Sequence, residues 1–282
     1  MIMERRPRDD EIDAYGLTHV GKVRSQNQDH FLVGQLRGRL WVGISSLETQ
    51  ERLPVEEDRL ASIMVVADGV GGGQKGEEAS RVVVEEVAQY VQEIARCYFR
   101  SDEDEGDFMH ALENGARRIH TDLRQRGDND PATMGMATTL TMLIIVWPWT
   151  YLLQVGDSRY YRLSKGKLSQ ISRDQTVAQA LVDQGILTPT LGQVSPLSNV
   201  LASSIGGPQT APVVTRMRAE WENVHLLCSD GLTKHVSDEQ IADRLRNMKS
   251  ARQACEQLLQ DALDGGGIDN ITVLVGRALP KS

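Results

Sequence analysis

Residues 139–155 read Thr139-Leu-Thr-Met-Leu-Ile-Ile-Val-Trp-Pro148-Trp-Thr-Tyr-Leu-Leu-Gln-Val155, the most apolar stretch of the chain. At 17 residues it has the length of a short membrane span. Pro148 at its middle would break a helix, however, and both halves are rich in Thr, Val, Ile, Leu and Tyr, which favour extended backbone. The stretch therefore predicts two buried strands joined at Trp147-Pro148-Trp149 in a soluble protein. Outward from it, further strand-like runs bounded by Gly, Asp, Asn, Ser or Pro fall at 15–20, 31–36, 40–44, 63–67, 160–163, 213–217, 224–227 and 271–275. Between them lie helical patterns: Val83, Val87, Tyr90, Val91 and Ile94 share one face, as do Phe108, Leu112, Ile119 and Leu123, and later Cys255, Leu258, Leu259 and Ala262. The first two helices follow one another across the acidic 101–107 turn, so the order is α+β rather than βαβ alternation. The predicted architecture is a four-layer α-β-β-α sandwich of two largely antiparallel sheets flanked by helix pairs. Residues 45–59, polar and acidic, and 164–207, rich in Gly, Ser, Gln and Pro with one short helical pattern near 177–182, are expected as surface elaborations outside the core.

The composition is that of an ordinary globular protein: 282 residues, 40% hydrophobic and 25% charged. A net charge of −8, with no basic stripe beyond Arg5, Arg6 and Arg8, argues against a broad grip on nucleic acid. The three cysteines, Cys97, Cys228 and Cys255, form neither a disulfide framework nor a C-x-x-C zinc site, which suits a reducing, cytoplasmic compartment. The basic N-terminus has no apolar run behind it, so no secretory signal is expected. No repeat or linker compels a second domain. We expect a tail over 1–12 and a single domain over 13–278.

The informative pattern is an apolar strand that runs straight into Asp followed by a small residue. It occurs at Ile63-Met-Val-Val-Ala-Asp68-Gly69, at Leu152-Leu-Gln-Val-Gly-Asp157-Ser158 and at His225-Leu-Leu-Cys-Ser-Asp230-Gly231; in Gly267-Ile-Asp269-Asn270, Asp269 instead opens the strand. Each alone is a favoured turn dipeptide. Together they bring several carboxylates to one rim, where they repel unless cations neutralise them. Carboxylates, carbonyls and water suit Mg²⁺ or Mn²⁺ rather than Zn²⁺. The six histidines lack metal-ligand spacing and read as structural or surface residues.

Gly71-x-Gly73-x-x-Gly76 formally matches a dinucleotide fingerprint, but a second helix follows where a parallel strand is needed, and Lys75 is misplaced for a P-loop. A glycine-rich turn that lets backbone approach a metal or phosphate remains. In Gly21-Lys-Val-Arg24-Ser-Gln-Asn27-Gln28-Asp29 the plain reading is a surface turn with a weak Arg–Asp pair. No Gly-x-Ser-x-Gly elbow supports a serine hydrolase.

The ordered set resembles the PPM (type 2C) metal-dependent serine/threonine protein phosphatases in their bacterial single-domain form. The matching segments are 21–29, Ala67-Asp-Gly-Val-Gly-Gly72 with Gly76-Glu-Glu-Ala-Ser80, Met136-Ala-Thr-Thr-Leu140, Gly156-Asp-Ser-Arg159, Ser229-Asp-Gly-Leu232 and Asp269-Asn-Ile-Thr272. The resemblance implies a β-sandwich with a two-metal site at one end. Asp68 would bridge two Mn²⁺ or Mg²⁺ ions, the Gly69 carbonyl would bind the first, and Asp230 and Asp269 the second. Asp157 resembles the ligand of a third, weaker ion, Asp29 the outer-shell acid, and Arg24 the residue that grips the substrate phosphate. Residues 164–207 would include the family's flap. The implied reaction is hydrolysis of phosphoserine and phosphothreonine in proteins, in opposition to a Ser/Thr kinase. Two ions about 3.5–4 Å apart would activate a bridging water for in-line attack, with Asp68 acting through both. The planar, permanently charged guanidinium of Arg24 suits two phosphate oxygens.

Three positions depart from the family pattern. Gln28 stands where many members carry Glu, Val70 where eukaryotic members carry His, and Asp174-Gln175 where Asp-His is common in the flap. The second departure leaves the general acid for the leaving oxygen unassigned. Two other functions compete: a catalytically silent phosphoprotein-binding scaffold or sensor, which loss of Asp68, Asp230 or Asp269 would have favoured, and a metal-dependent phosphodiesterase or nuclease, which the acidic surface disfavours.

Overall fold

The apolar stretch forms the expected hairpin. In the computed structural model, which describes residues 5–37, 39–45, 59–71, 74–98, 105–129 and 133–280, its two strands pair antiparallel from Leu140↔Val155 to Val146↔Trp149, and the Trp147–Pro148 bond in the turn is cis. The strands in chain order are β1 (Ile12–His19), β2 (Asp29–Arg37), β3 (Arg39–Ser45), β4 (Ala61–Val70), β5 (Ala137–Thr138), β6 (Leu140–Val146), β7 (Trp149–Val155), β8 (Arg159–Ser164), β9 (Lys167–Gln170), β10 (Val213–Arg218), β11 (Val224–Cys228) and β12 (Ile271–Ala278). The helices are α1 (Gln74–Tyr98), α2 (Glu105–Asn129), α3 (Val177–Asp183), α4 (Pro189–Val194), α5 (Asp230–Thr233), α6 (Asp238–Arg246) and α7 (Ala251–Asp264).

One sheet runs β1-β12-β11-β8-β9 and the other β10-β7-β6-β4-β2-β3, with β5 pairing β4; every pairing is antiparallel. Period-two alternation sorts the strand side chains into three apolar layers. Ile63, Val65, Met142, Ile144, Tyr151 and Leu153 face the stripe of Val83, Val87, Val91, Phe108, Leu112, Ile119 and Leu123 on α1 and α2. Leu226, Cys228, Val273 and Val275 face Cys255 and Leu258 of α7 and Ile241 of α6. The residues between these, Phe31, Met64, Val66, Leu143, Leu152, Leu227 and Leu274, fill the space between the sheets. At about 1.5–3 kcal/mol for each buried large side chain, these layers are the main favourable term holding the sandwich together.

The four-layer reading is therefore correct, and the differences lie in the connections. Residues 164–207 are not wholly outside the core: β9 extends a sheet edge, and Ile205, fully buried, packs against the α1–α2 side. They also hold α4 and a 3₁₀ turn over Pro196–Asn199, capped by Thr188 and Ser195, each followed by Pro at the first helical position. Those Thr-Pro and Ser-Pro pairs were the available signal. Within the expected tail Pro7 and Glu11 are buried while Arg5, Arg6, Arg8, Asp9 and Asp10 are exposed. Glu11 is buried, with Arg5 donating to both its carboxylate oxygens at 2.7 and 2.6 Å. Helix α2 begins at Glu105, inside the acidic turn predicted at 101–107. Most of 45–59, residues 101–104, and Gly72 and Gly73 of the glycine-rich turn lie outside the described residues.

Candidate metal centre

Strands β4, β11 and β12 all deliver their aspartates to one end of the sandwich. Asp68 lies near the end of β4, where its backbone N–H donates to Thr139 Oγ1 at 2.9 Å and its carbonyl accepts from Thr138 Oγ1 at 2.8 Å. Gly69 follows because no side chain fits: a Cβ would stand 2.1 Å from the Gly76 carbonyl oxygen. Directly opposite Asp68 in the β2–β4 register is Asp29, buried, with Oδ2 accepting from Ser229 Oγ and Thr272 Oγ1, both at 2.7 Å. Those hydroxyls come from β12 and from the residue that follows β11, both of the other sheet, so Asp29 ties the sheets together behind the cleft.

Asp230 opens α5 immediately after β11, and Asp269 precedes β12. The two turns lock together, since a Cβ on Gly231 would stand 1.9 Å from the Asn270 carbonyl oxygen. Asn270 also fastens the loop that carries Arg24: its Nδ2 donates to the Val20 and Gln26 carbonyls at 2.9 Å each, and its Oδ1 accepts from Gln28 N at 2.8 Å. Arg24, Asp68, Gly69, Asp157, Asp230 and Asp269 thus line one cleft of about 420 Å³, and Asp29 lies beneath it.

The electrostatics of this cleft are unfavourable to its own charges. Burial pushes the Asp68 carboxyl well above the usual carboxylate range, and Asp29, Asp230, Asp157 and Asp269 add to the effect. Asp157 is pushed up to about 8 by burial and by Asp230 and Asp174. Asp29 rises to about 6, chiefly through burial, against the lowering effect of its two hydroxyl partners. Asp230 is also raised by burial, in spite of Lys234. Asp269 alone is held below its usual range: burial pushes it up, but hydrogen bonds from Arg24 and Lys234 outweigh that.

Arg24 does not pair with Asp29, as a surface turn would have it. Its Nε lies 2.8 Å from Asp269 Oδ1 and its Nη2 donates to Oδ2 at 3.0 Å, with half of the side chain exposed. Lys234 Nζ lies 2.6 Å from Asp230 Oδ2 and 2.8 Å from Asp269 Oδ2. Among the described residues, no three carboxylate, imidazole or thiolate side chains already converge as a ligand set; the protein's own cations stand between the acids. Near the start of the 164–207 segment Arg159 clasps Asp174 at 2.7 Å, and Gln175 accepts from Gly156 N at 2.9 Å and donates to the Ala211 carbonyl, so the departing pair Asp174-Gln175 anchors this segment. His30 and His225 are buried and accounted for by Ser80 and Tyr160.

A family model described as Protein phosphatase 2C matches residues 48–264. The chain is 31% identical over 261 residues to Protein phosphatase PhpP of Streptococcus pneumoniae, covering 91% of this chain and 94% of PhpP. The chain belongs to the protein phosphatase 2C family. It is also 35% identical over 215 residues, 76% of its length, to Serine/threonine protein phosphatase PstP of Mycobacterium tuberculosis, of which the match spans only 40%. The crystal structure of Mycobacterium tuberculosis PstP/Ppp superposes with a TM-score of 0.74 at 29% identity, covering 95% of this chain and 99% of that one. A PstP catalytic domain in complex with two manganese ions superposes at 0.72, with the same identity and coverage.

The donor set of this phosphatase 2C chain fits hard divalent cations. Asp29 Oδ1 and Asp230 Oδ1 are buried with no hydrogen-bond partner, which is costly for oxygens that a cation does not satisfy. Every other acceptor in the cleft is oxygen, as Mg²⁺ or Mn²⁺ requires. The residues that sequence reasoning left out are Ser229, Thr272, Asn270 and Lys234. Three of them sit inside quoted motifs without an assigned role, and Lys234 was signalled by its i,i+4 spacing from Asp230.

Proposed function

We propose that this chain hydrolyses phosphoserine and phosphothreonine in proteins, using two or three Mn²⁺ or Mg²⁺ ions, in opposition to a Ser/Thr kinase. The observation that carries the reading is the cleft itself: Asp68, Asp157 and Asp230 in it and Asp29 beneath it, all raised by burial and by neighbouring carboxylates, with two orphaned carboxylate oxygens and a half-exposed guanidinium beside them. Asp68 and the Gly69 carbonyl would hold one ion, Asp68 with Asp230 and Asp269 a second, and Asp157 a third. When bound, the ions supply Lewis acidity that activates water and neutralises charge on the transferring phosphoryl group.

The remaining work belongs to the chain. Asp29, fixed by Ser229 and Thr272, sits directly opposite Asp68 in the register and backs it. Arg24 is a planar donor at the rim that can exchange one carboxylate for two phosphate oxygens, which orients the ester for in-line displacement. Asn270 is a positioning residue that keeps the Arg24 loop against β12. Residues 13–278 then form a single catalytic domain with 164–207 as flap. The net charge of −8 suits phosphoproteins better than nucleic acid, and a cytoplasmic site of action agrees with the unpaired, buried Cys228 and Cys255. No helix among the described residues is long and apolar enough to cross a membrane.

The test is a comparison of p-nitrophenyl phosphate, bis-p-nitrophenyl phosphate and a phosphothreonine peptide with and without Mn²⁺. Mn²⁺-dependent release of phosphate from the peptide and the monoester supports the reading. Preference for the diester indicates a phosphodiesterase, and peptide binding without turnover a silent binding protein.

A further inference from the structure

Lys234 lies one turn beyond Asp230, as the C-cap of α5, and both line the cleft, so its stem is fixed at the same turn as one of its partners. Its ammonium reaches two carboxylates from different elements, Asp230 after β11 and Asp269 before β12, at 2.6 and 2.8 Å. Only about a quarter of the side chain is exposed. Two of its three donors are thereby committed to the oxygens that a divalent ion between Asp230 and Asp269 would need. Asp230 Oδ1 is left without a partner, so the conflict is one of charge: an ammonium this close to both carboxylates repels a divalent cation drawn to the same two groups. The stem has four rotatable carbons and can carry the charge out of the way, which a guanidinium fixed in a planar fork does less readily.

We propose that Lys234 is a built-in counter-ion that holds the Asp230–Asp269 seat in the metal-free protein and must be displaced when a divalent cation enters. Lys234 thus sets the metal concentration at which the seat fills. The proposal rests on the metal-dependent reading above. It differs from a purely structural role in its sign: removing a structural ion pair weakens the fold with or without metal, whereas removing a competitor weakens only the metal-free state and tightens metal binding.

The experiment is Mn²⁺ titration of EDTA-stripped protein by isothermal calorimetry, for wild type, Lys234→Gln, Lys234→Met, Lys234→Arg and Asp269→Asn, with thermal unfolding in EDTA and in saturating Mn²⁺. Asp269→Asn identifies the binding step that belongs to this seat. In Lys234→Gln and Lys234→Met that step tightens by about tenfold or more, since two hydrogen bonds to charged groups no longer oppose it. Lys234→Arg, which keeps the charge, binds no tighter than wild type. The neutral variants melt lower than wild type in EDTA and together with it in Mn²⁺. Unchanged or weaker Mn²⁺ binding in both neutral variants, or an equal loss of stability with and without Mn²⁺, overturns the proposal alone. A wild-type protein that binds no Mn²⁺ overturns the metal-dependent reading, and this proposal with it.

Discussion

Asp157→Asn is expected to stabilise the metal-free protein at neutral pH and to leave it unchanged in acid. In the folded chain burial, then Asp230 and Asp174, push this carboxyl up to about 8, from a usual value of 3.8. Across that window the folded state retains a proton that the unfolded chain has released, so stability falls as pH rises, by about 1.36 kcal/mol per unit. At pH 7.5 the ceiling on this cost is about 5 kcal/mol; water in the cleft and local relaxation reduce the working expectation to about 2 kcal/mol. Asparagine has the same shape and does not titrate. For a chain of this size the relief corresponds to a rise in Tm of about 5 °C. The assay is thermal unfolding of EDTA-treated wild type and variant from pH 4 to pH 8, followed by circular dichroism. The melting curves should coincide near pH 4 and separate steadily above it, with the variant higher. A difference that is flat with pH, or a variant that melts lower at pH 7.5, would mean that the folded chain does not hold Asp157 protonated.

Asp230→Asn and Asp269→Asn should both abolish Mn²⁺-dependent release of phosphate from a phosphothreonine peptide, yet part company in EDTA: Asp230→Asn melts at or above wild type because burial already disfavours its charge, and Asp269→Asn melts lower because it deprives Arg24 and Lys234 of their shared partner. Arg24→Ala should lower kcat/KM on the peptide by about one to two orders of magnitude, with Arg24→Lys recovering only part. Because Arg24 is parked on Asp269, the same variant should bind Mn²⁺ more tightly in calorimetry, where a role confined to phosphate would leave binding unchanged. His225, pushed down to about 4 by burial, stays neutral in the fold while the unfolded chain takes up a proton below pH 6.5, so stability contributed by this site falls by up to about 3 kcal/mol between pH 6.5 and pH 4. His225→Gln should flatten that acid limb in urea titrations at successive pH values.

The layers were legible because burial on both faces leaves a plain record: near-continuous apolar runs such as 140–146 belong to central strands, and the 3.6-residue stripe of Val83, Val87 and Val91 belongs to a helix lying on them. The aspartates were legible for a similar reason, since a carboxylate placed at the end of an apolar run has no packing role. The partners of those aspartates were harder to read. Ser229, Thr272 and Asn270 are small polar residues that meet Asp29 and Gln28 across more than 190 positions of sequence, and no local pattern encodes such a pairing. The pairing of Arg24 with Asp269 is equally non-local, whereas the nearby Asp29 that sequence offered as its partner is turned inward and buried.

The cleft draws Asp68 from one sheet and Asp230 and Asp269 from the other, so its geometry depends on how the two sheets are seated on each other. Phe31, Leu227 and Leu274 in the layer between them therefore act as alignment shims, although none lines the cleft. A truncation there would let one sheet slide or tilt by a fraction of an ångström while each keeps its own hydrogen-bond ladder. Misalignment of that kind leaves secondary structure intact and shifts Asp68 against Asp230 and Asp269, so the geometry of the cleft is more fragile than the architecture around it. Sequence drift in the outer helices can be absorbed locally, but drift in the middle layer is transmitted to the site.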